Sequence, residues 1–214
     1  MIDHFMYGVP DLNSGLRWAR EAFGVQPAIG GSHPGLGTCN ALLSLGDTYL
    51  ELIAPDPDQP RADNLGGRLA SLSSGALITW AVRADLDEAK RQLDAAGIGM
   101  AGPVPTSRTT PDGHRLDWLL GFPRGHAFGV LMPFFIDWLD CLHPGATNPV
   151  GGSLRRFVVR TPQAPRLRST LGDLAEGVTF DTGEPTMLLD IESLDGRLLT
   201  LSATTESLAF SRVF

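Results

Sequence analysis

ALITWAVRADLDEAKRQLDAAG, residues 76–97, is the stretch on which the reading of the fold turns. ALITWAVRA, apolar and partly β-branched, reads as a strand. The remainder reads as a helix: Asp85 and Glu88 have capping-box spacing, Leu86, Ala89, Leu93 and Ala96 form one apolar stripe, and Gly97 suits the position past the helix end. Three extended segments follow, GPVPTSRTT, HRLDWLLGF and FGVLMPFFI, the first two separated by the turn-forming PDG of residues 111–113. The apolar run at residues 128–139 is too short to span a membrane, is interrupted by Pro133 and Asp137, and is expected to be a buried strand. Residues 75–142 therefore read as one βαβββ unit.

Upstream the same order occurs. IDHFMYGV reads as a strand, and DLNSGLRWAREAFG places Leu16, Ala19 and Phe23 at helical spacing before Gly24. QPAIGGSHP, GTCNALLSL and DTYLELIAP supply three further strands, which closes a first unit over residues 1–55. A loop rich in Pro, Asp and Gly, residues 55–75, joins the two. Past a linker at residues 143–152, LRRFVVRT starts another strand, Thr161 and Pro162 take the cap and first-turn positions of a short helix through Leu171, and extended segments follow at residues 178–180, 186–191 and 197–202. Two readings are open for residues 153–214: a shortened third βαβββ-like unit, or a hairpin region that covers a sheet edge.

With 43% hydrophobic and 19% charged residues the chain has the makeup of a globular protein rather than a disordered or fibrous one. A net charge of −7 and the lack of a Lys/Arg cluster argue against nucleic acid as a partner. Cys39 and Cys141, far apart and in no zinc or redox spacing, indicate no disulfide framework and carry no assigned role. Neither a leader pattern nor an apolar run of about 18 residues is present, so the expectation is a cytoplasmic protein without membrane contact.

Two strings carry a family resemblance: GGSHPGLGTCN of residues 30–40 with YLELIAP of residues 49–55, and PFFIDW of residues 133–138 with His143-Pro144 after it. Together with the opening IDH, they resemble the glyoxalase-like branch of the vicinal-oxygen-chelate superfamily, which also holds bleomycin-resistance proteins and extradiol dioxygenases. The resemblance covers nearly the whole chain. It implies an α+β fold in which paired βαβββ modules form a curved, cup-shaped mixed sheet with helices outside and a small-molecule ligand inside. One chain with two modules can close the cup alone or as a homodimer. Because the superfamily spans lyases, isomerases, dioxygenases, thiol transferases and metal-free antibiotic binders, the fold does not select a reaction.

In metal-dependent relatives each module offers a ligand on its first strand and a carboxylate on its last. His4 and Glu51 hold those positions in module one. Strand alternation groups His4 with Ile2 and Met6, and Glu51 with Tyr49 and Ile53, facing the cup if Phe5, Tyr7, Leu50 and Leu52 face the helices. A carboxylate among apolar strand residues is costly to bury unless paired, hydrogen-bonded or metal-bound, which makes Glu51 the candidate catalytic residue. The plainer reading is a core histidine and a carboxylate satisfied by neighbours such as Asn40. Module two places Ile78 opposite His4 and offers no carboxylate on its last strand. His33, in the glycine-rich string, is the candidate replacement, and His4, His33 and Glu51 would form a two-histidine, one-carboxylate face for one divalent ion such as Fe, Mn, Zn or Ni. Alternatively no metal is bound, and His33 and Asn40 fix the turn or touch substrate.

Further candidate substrate contacts are Arg108 and His114 at the cup mouth and Trp80, Trp118 and Trp138 as apolar lining, with Phe135 assigned to core packing. Three functional readings stay open: an enzyme of lyase, isomerase or dioxygenase type acting on a small carbonyl or oxygen-rich metabolite; a metal-free protein that sequesters a small molecule; and a vestigial cup in a protein that acts through a partner.

Overall fold

The computed structural model describes residues 1–60, 63–109, 113 and 115–212. Module one runs β1 (Ile2–Gly8), α1 (Leu12–Phe23), β2 (Ala28–His33), β3 (Thr38–Ser44) and β4 (Tyr49–Pro55). After the short helix α2 (Leu65–Leu69), module two runs β5 (Ala76–Arg83), α3 (Leu86–Ala95), β6 (Gly99–Thr109), β7 (Arg115–Arg124) and β8 (Phe134–Asp137). The eight strands form one sheet in the order β2-β3-β4-β1-β5-β8-β7-β6. β1 and β5 meet antiparallel at its centre, and each lies parallel to the last strand of its own module. The expected α+β fold, a curved mixed sheet of two βαβββ modules with helices outside, is thus the observed one.

The helices form where the stripes and caps place them. The Asp11 side chain accepts from the Ser14 N–H at the start of α1, and Asp85 accepts from the Glu88 N–H at the start of α3. Gly24 ends α1 at φ 71°, a left-handed conformation that a Cβ would oppose. Each helix covers the convex face of its own module. There Phe5, Leu50 and Leu52, and on the other side Trp80, Val82 and Phe135, are fully buried.

Four expectations need correction. Residues 128–139 are not one strand: Gly129 sits at φ 58° and begins a single 3-10 turn, Gly129–Leu131, so β8 starts only after Pro133. The loop of residues 55–75 contains α2, capped by Asn64 accepting from the Gly67 N–H. The linker of residues 143–152 contains α4 (Pro144–Thr147), whose cap is His143 and whose first-turn position is Pro144. The helix expected at Thr161-Pro162 starts later, as α5 (Ala164–Leu171), because Gln163 is its cap and Pro165 occupies its first turn.

The C-terminal part adds β9 (Gly152–Arg160), β10 (Val178–Asp181), β11 (Thr186–Ser193), β12 (Leu198–Ser202) and the short helix α6 (Thr205–Leu208). Its order is again βαβββ, yet the pairing differs: β9 is flanked by β10 and β11 in a separate sheet, β10-β9-β11-β12. That sheet lies behind the centre of the larger one, with Phe157 of β9 meeting the Phe5 ring at 4.8 Å and the Trp80 ring at 5.2 Å. No helix among the described residues is long and apolar enough to cross a membrane.

Candidate active site in the cup

Alternation along the strands sends every second side chain into the concave face. From module one these are His4 and Met6, Asn40 and Leu42, and Tyr49, Glu51 and Ile53; from module two, Thr106 and Arg108, then Trp118, Leu120 and Phe122, then Phe134, Ile136 and Trp138. They enclose a cavity of about 180 Å³. A larger cavity of about 350 Å³ shares Phe122 and Phe134 with it and opens beside Arg124 and His126. The smaller one is the better candidate, since the carboxylate and imidazole that face each other lie there.

His4 is held from behind. Asp3, completely buried, accepts from His4 Nδ1 at 2.6 Å, from Trp138 Nε1 at 2.9 Å and from His143 Nε2 at 3.0 Å. Burial alone would raise the Asp3 pKa; the hydrogen bonds and charges of His143 and His4 outweigh it and hold the carboxyl well below the usual carboxylate range. An ionised carboxylate only accepts, so Nδ1 of His4 carries a proton toward Asp3. The ring of His143 agrees, because its Nδ1 accepts from the Gly145 N–H and leaves Nε2–H to donate to Asp3. His4 therefore presents Nε2 to the cavity, 3.6 Å from Oε2 of Glu51. Its ring stacks on Tyr49, centroids 4.6 Å apart, and the Tyr49 phenol is pushed well above its ordinary pKa by burial and by the Asp3 and Glu51 charges, so it stays protonated.

Glu51, 7% exposed, accepts from Asn40 Nδ2 at 2.6 Å through Oε1, which leaves Oε2 facing His4. The same Asn40 nitrogen lies 3.3 Å from His33 Nε2, and His33 Nδ1 lies 2.9 Å from the Thr38 hydroxyl. Burial, with Arg108 acting in the same direction, lowers the His33 pKa against the opposing pull of Glu51 and Asp56, so the ring is neutral at pH 7. Its lone pair is turned to Asn40.

The structure thus brings His4, His33, Asn40, Glu51, Arg108, Trp118 and Trp138 to one cavity. Trp80 is elsewhere, which corrects its assignment to the lining. It pairs with Phe5 across β1 and β5, points to the convex face, is fully buried against Phe157, and donates its indole N–H to the Leu131 carbonyl at 3.0 Å. His114 lies outside the described residues. Cys39 and Cys141 are free thiols, and burial pushes Cys39 up to about 11. Asp3 and His143 are site residues that sequence reasoning misses. Alternation puts Asp3 on the face opposite His4, but the β1–β5 register shifts between Ile2 and His4, and this bulge lets Asp3 turn beside its neighbour.

The donor set does not fit a resident metal ion of the expected kind. His4 Nε2 and Glu51 Oε2 converge, while the lone pair of His33 is engaged by Asn40. Among the described residues no group of three His, Cys, Asp or Glu is placed to hold an ion.

The family model described as glyoxalase-like domain matches residues 2–175. Among solved structures, a hypothetical protein from Staphylococcus aureus superposes with a TM-score of 0.64 at 17% identity, covering 95% of this chain and 86% of that one. Methylmalonyl-CoA epimerase from Mycobacterium tuberculosis gives 0.43 at 19%, covering 64% and 85%. A single-residue variant of the Streptomyces coelicolor methylmalonyl-CoA epimerase, in complex with 2-nitronate-propionyl-CoA, gives 0.45 at 19%, covering 64% and 95%. At these identities the likeness concerns fold alone. No curated protein matches the chain.

Proposed function

This chain belongs to the glyoxalase-like domain family, and from that premise we propose that it is an enzyme moving a proton at a carbon beside the carbonyl of a small metabolite. The observation that carries the reading is the facing pair His4 Nε2 and Glu51 Oε2, 3.6 Å apart in a largely apolar cup, with His4 fixed from behind by an ionised Asp3. Mere sequestration of a ligand needs no such pair.

In this reading Glu51 Oε2 takes the proton, and the C–H electron pair moves into the carbonyl to give an enolate. The proton then returns to the same or a neighbouring atom, so the net outcome is exchange or isomerisation without an oxidant. His4 Nε2 is the second acceptor within reach of the proton in transit. Arg108, the one arginine or lysine in the lining among the described residues, offers donors to the enolate oxygen, where preorganised charge is most effective. His33 and Asn40 would hold polar groups, and Trp118 and Trp138 would hold the apolar body of the substrate. No step passes through a metal ion.

The test is proton exchange in D2O, followed by NMR on a panel of small aldehydes and ketones with and without charged groups. At least one is expected to exchange faster than in buffer, Glu51→Gln to slow it by about 10²–10⁴-fold, and a chelator to leave the rate unchanged. Exchange that is unaffected by Glu51→Gln would sink the proposal. A second reading has support in the largely apolar module-two wall of Trp118, Leu120, Phe122, Phe134 and Ile136: a metal-free binding protein of the antibiotic-resistance type. It would show as thermal stabilisation by a ligand with no exchange.

A further inference from the structure

The acid–base reading leaves one cation of the cup without an ion-pair partner among the described residues. Arg108 is half-buried on β6 and has no hydrogen bond or ion pair with any of them. Several arginines at the surface do have a carboxylate partner, as Arg115 with Asp117, Arg156 with Asp190 and Arg197 with Asp195. What sets the Arg108 guanidinium apart is its place: among the described residues it is the one arginine or lysine that lines the small apolar cavity.

A second observation lies beside it. Asn40 Oδ1 is buried without a hydrogen-bond donor among the described residues, although the amide nitrogen of the same side chain holds Glu51. Gly30, at the register shift between β2 and β3, explains the arrangement in space. A Cβ there would lie 2.1 Å from Asn40 Oδ1 and 2.7 Å from Arg108 Nη1. The missing side chain lets an orphaned acceptor and the guanidinium converge on one spot. A modest rotation of Arg108 would give one N–H to Asn40 Oδ1 and leave a two-pronged fork for a ligand, which links Arg108 through Asn40 to Glu51.

We infer that the substrate is a small 2-oxo carboxylate, whose carboxylate and keto oxygens are both taken by the Arg108 fork while its carbon 3 meets Glu51. The inference rests on the acid–base reading and deepens it by naming the substrate class. A neutral ligand filling the cup would strip water from Arg108 and give back no charge, whereas a carboxylate pairs with it in the planar geometry guanidinium favours. The keto oxygen, which gathers charge as carbon 3 loses its proton, lies on the same fork. A cavity of about 180 Å³ limits the acid to a few carbons, with Trp118, Phe122 and Trp138 beside its apolar end.

Matched probes test this: 2-oxobutanoate against its neutral carboxamide, each titrated by calorimetry into wild type and variants. Wild type should bind the acid at least about tenfold more tightly than the amide, the discrimination of a fork-and-carboxylate contact. Arg108→Gln should abolish that preference by weakening the acid far more than the amide, which loses only its keto-oxygen contact, and Arg108→Lys should keep part of it. Gly30→Ala should weaken the acid by displacing Arg108 and Asn40, whereas Glu51→Gln should keep the preference. Equal binding of acid and amide by wild type, no binding of the acid at millimolar concentration, or a preference surviving Arg108→Gln each overturn the inference. The Glu51-dependent exchange of other carbonyl compounds would then still stand or fall by itself.

Discussion

The two modules share one strand order and one central antiparallel seam, yet their concave faces differ. Module one lines the cup with His4, Asn40 and Glu51, while module two lines the opposite wall with Trp118, Leu120, Phe122, Phe134 and Ile136. Their convex faces match instead: Phe5 and Leu50 on one side, Trp80 and Phe135 on the other, all fully buried. The fold is maintained by what faces the helices, and because side chains alternate, the concave face is free to diverge without disturbing it. Module one supplies the facing acid–base pair, and its partner supplies Arg108 on an otherwise dry, shaped surface.

The comparison breaks most sharply if module one is made like module two. Glu51→Leu should cut proton exchange by about 10³-fold, read by the same NMR assay. Its stability in urea should change by no more than about 2 kcal/mol, since losing a buried charge offsets an orphaned Asn40 N–H. Retained exchange in Glu51→Leu would dissolve the functional asymmetry.

The next largest effect is on stability. Asp3→Asn removes the charge shared by His4, Trp138 and His143 and leaves one amide oxygen for three donors, and it should cost about 3 kcal/mol at pH 7. The folded-state pKa of Asp3 is depressed, so its stabilisation is complete above the ordinary carboxylate pKa of about 3.9 and fades as pH falls below that value toward the folded-state pKa. Urea curves at pH 7 and at pH 3 should therefore show the deficit of Asp3→Asn narrowing on acidification. A constant deficit would mean that Asp3 acts by shape rather than charge.

The smallest effect belongs to module two. Ile136→Val, deep in the apolar wall, should cost about 1 kcal/mol and change exchange by less than about threefold, within the spread of a positional effect. A large kinetic loss there would sharpen the comparison the other way, by giving the dry wall a part in orienting substrate.

Much of this is legible in the sequence because alternation is strict. The His4, Met6 and Tyr49, Glu51, Ile53 sets face the cup as spacing requires, and the stripe Leu86, Ala89, Leu93 lies buried in α3 as patterned. Trp80 is misplaced by sequence reasoning because its neighbours along the chain do not reveal the face; its pairing with Phe5 does. Asp3 is hidden by the bulge that breaks alternation where it matters for chemistry, and its partner His143 comes from the far end of module two. Short helices such as α2 and α4 depend on local caps at Asn64 and His143 rather than on any periodic stripe. The lone pair of His33 goes to Asn40 rather than to a metal, because spacing shows which residues can meet, not which contact each atom prefers.

The contact of Phe157 with Phe5 and Trp80 bears on how the protein can be handled and how it can change. The seam between the modules carries the cup on one side, and on the other it is insulated by a segment that reaches no reactive group. A shortened chain stopped before β9 would present both rings to water at the β1–β5 seam, whose first strand holds Asp3 and His4. It would be expected to clump or to borrow a neighbour's surface before any chemistry could be measured. Work on the cup thus calls for the C-terminal sheet to be kept in place, as a retaining wall is kept behind a terrace.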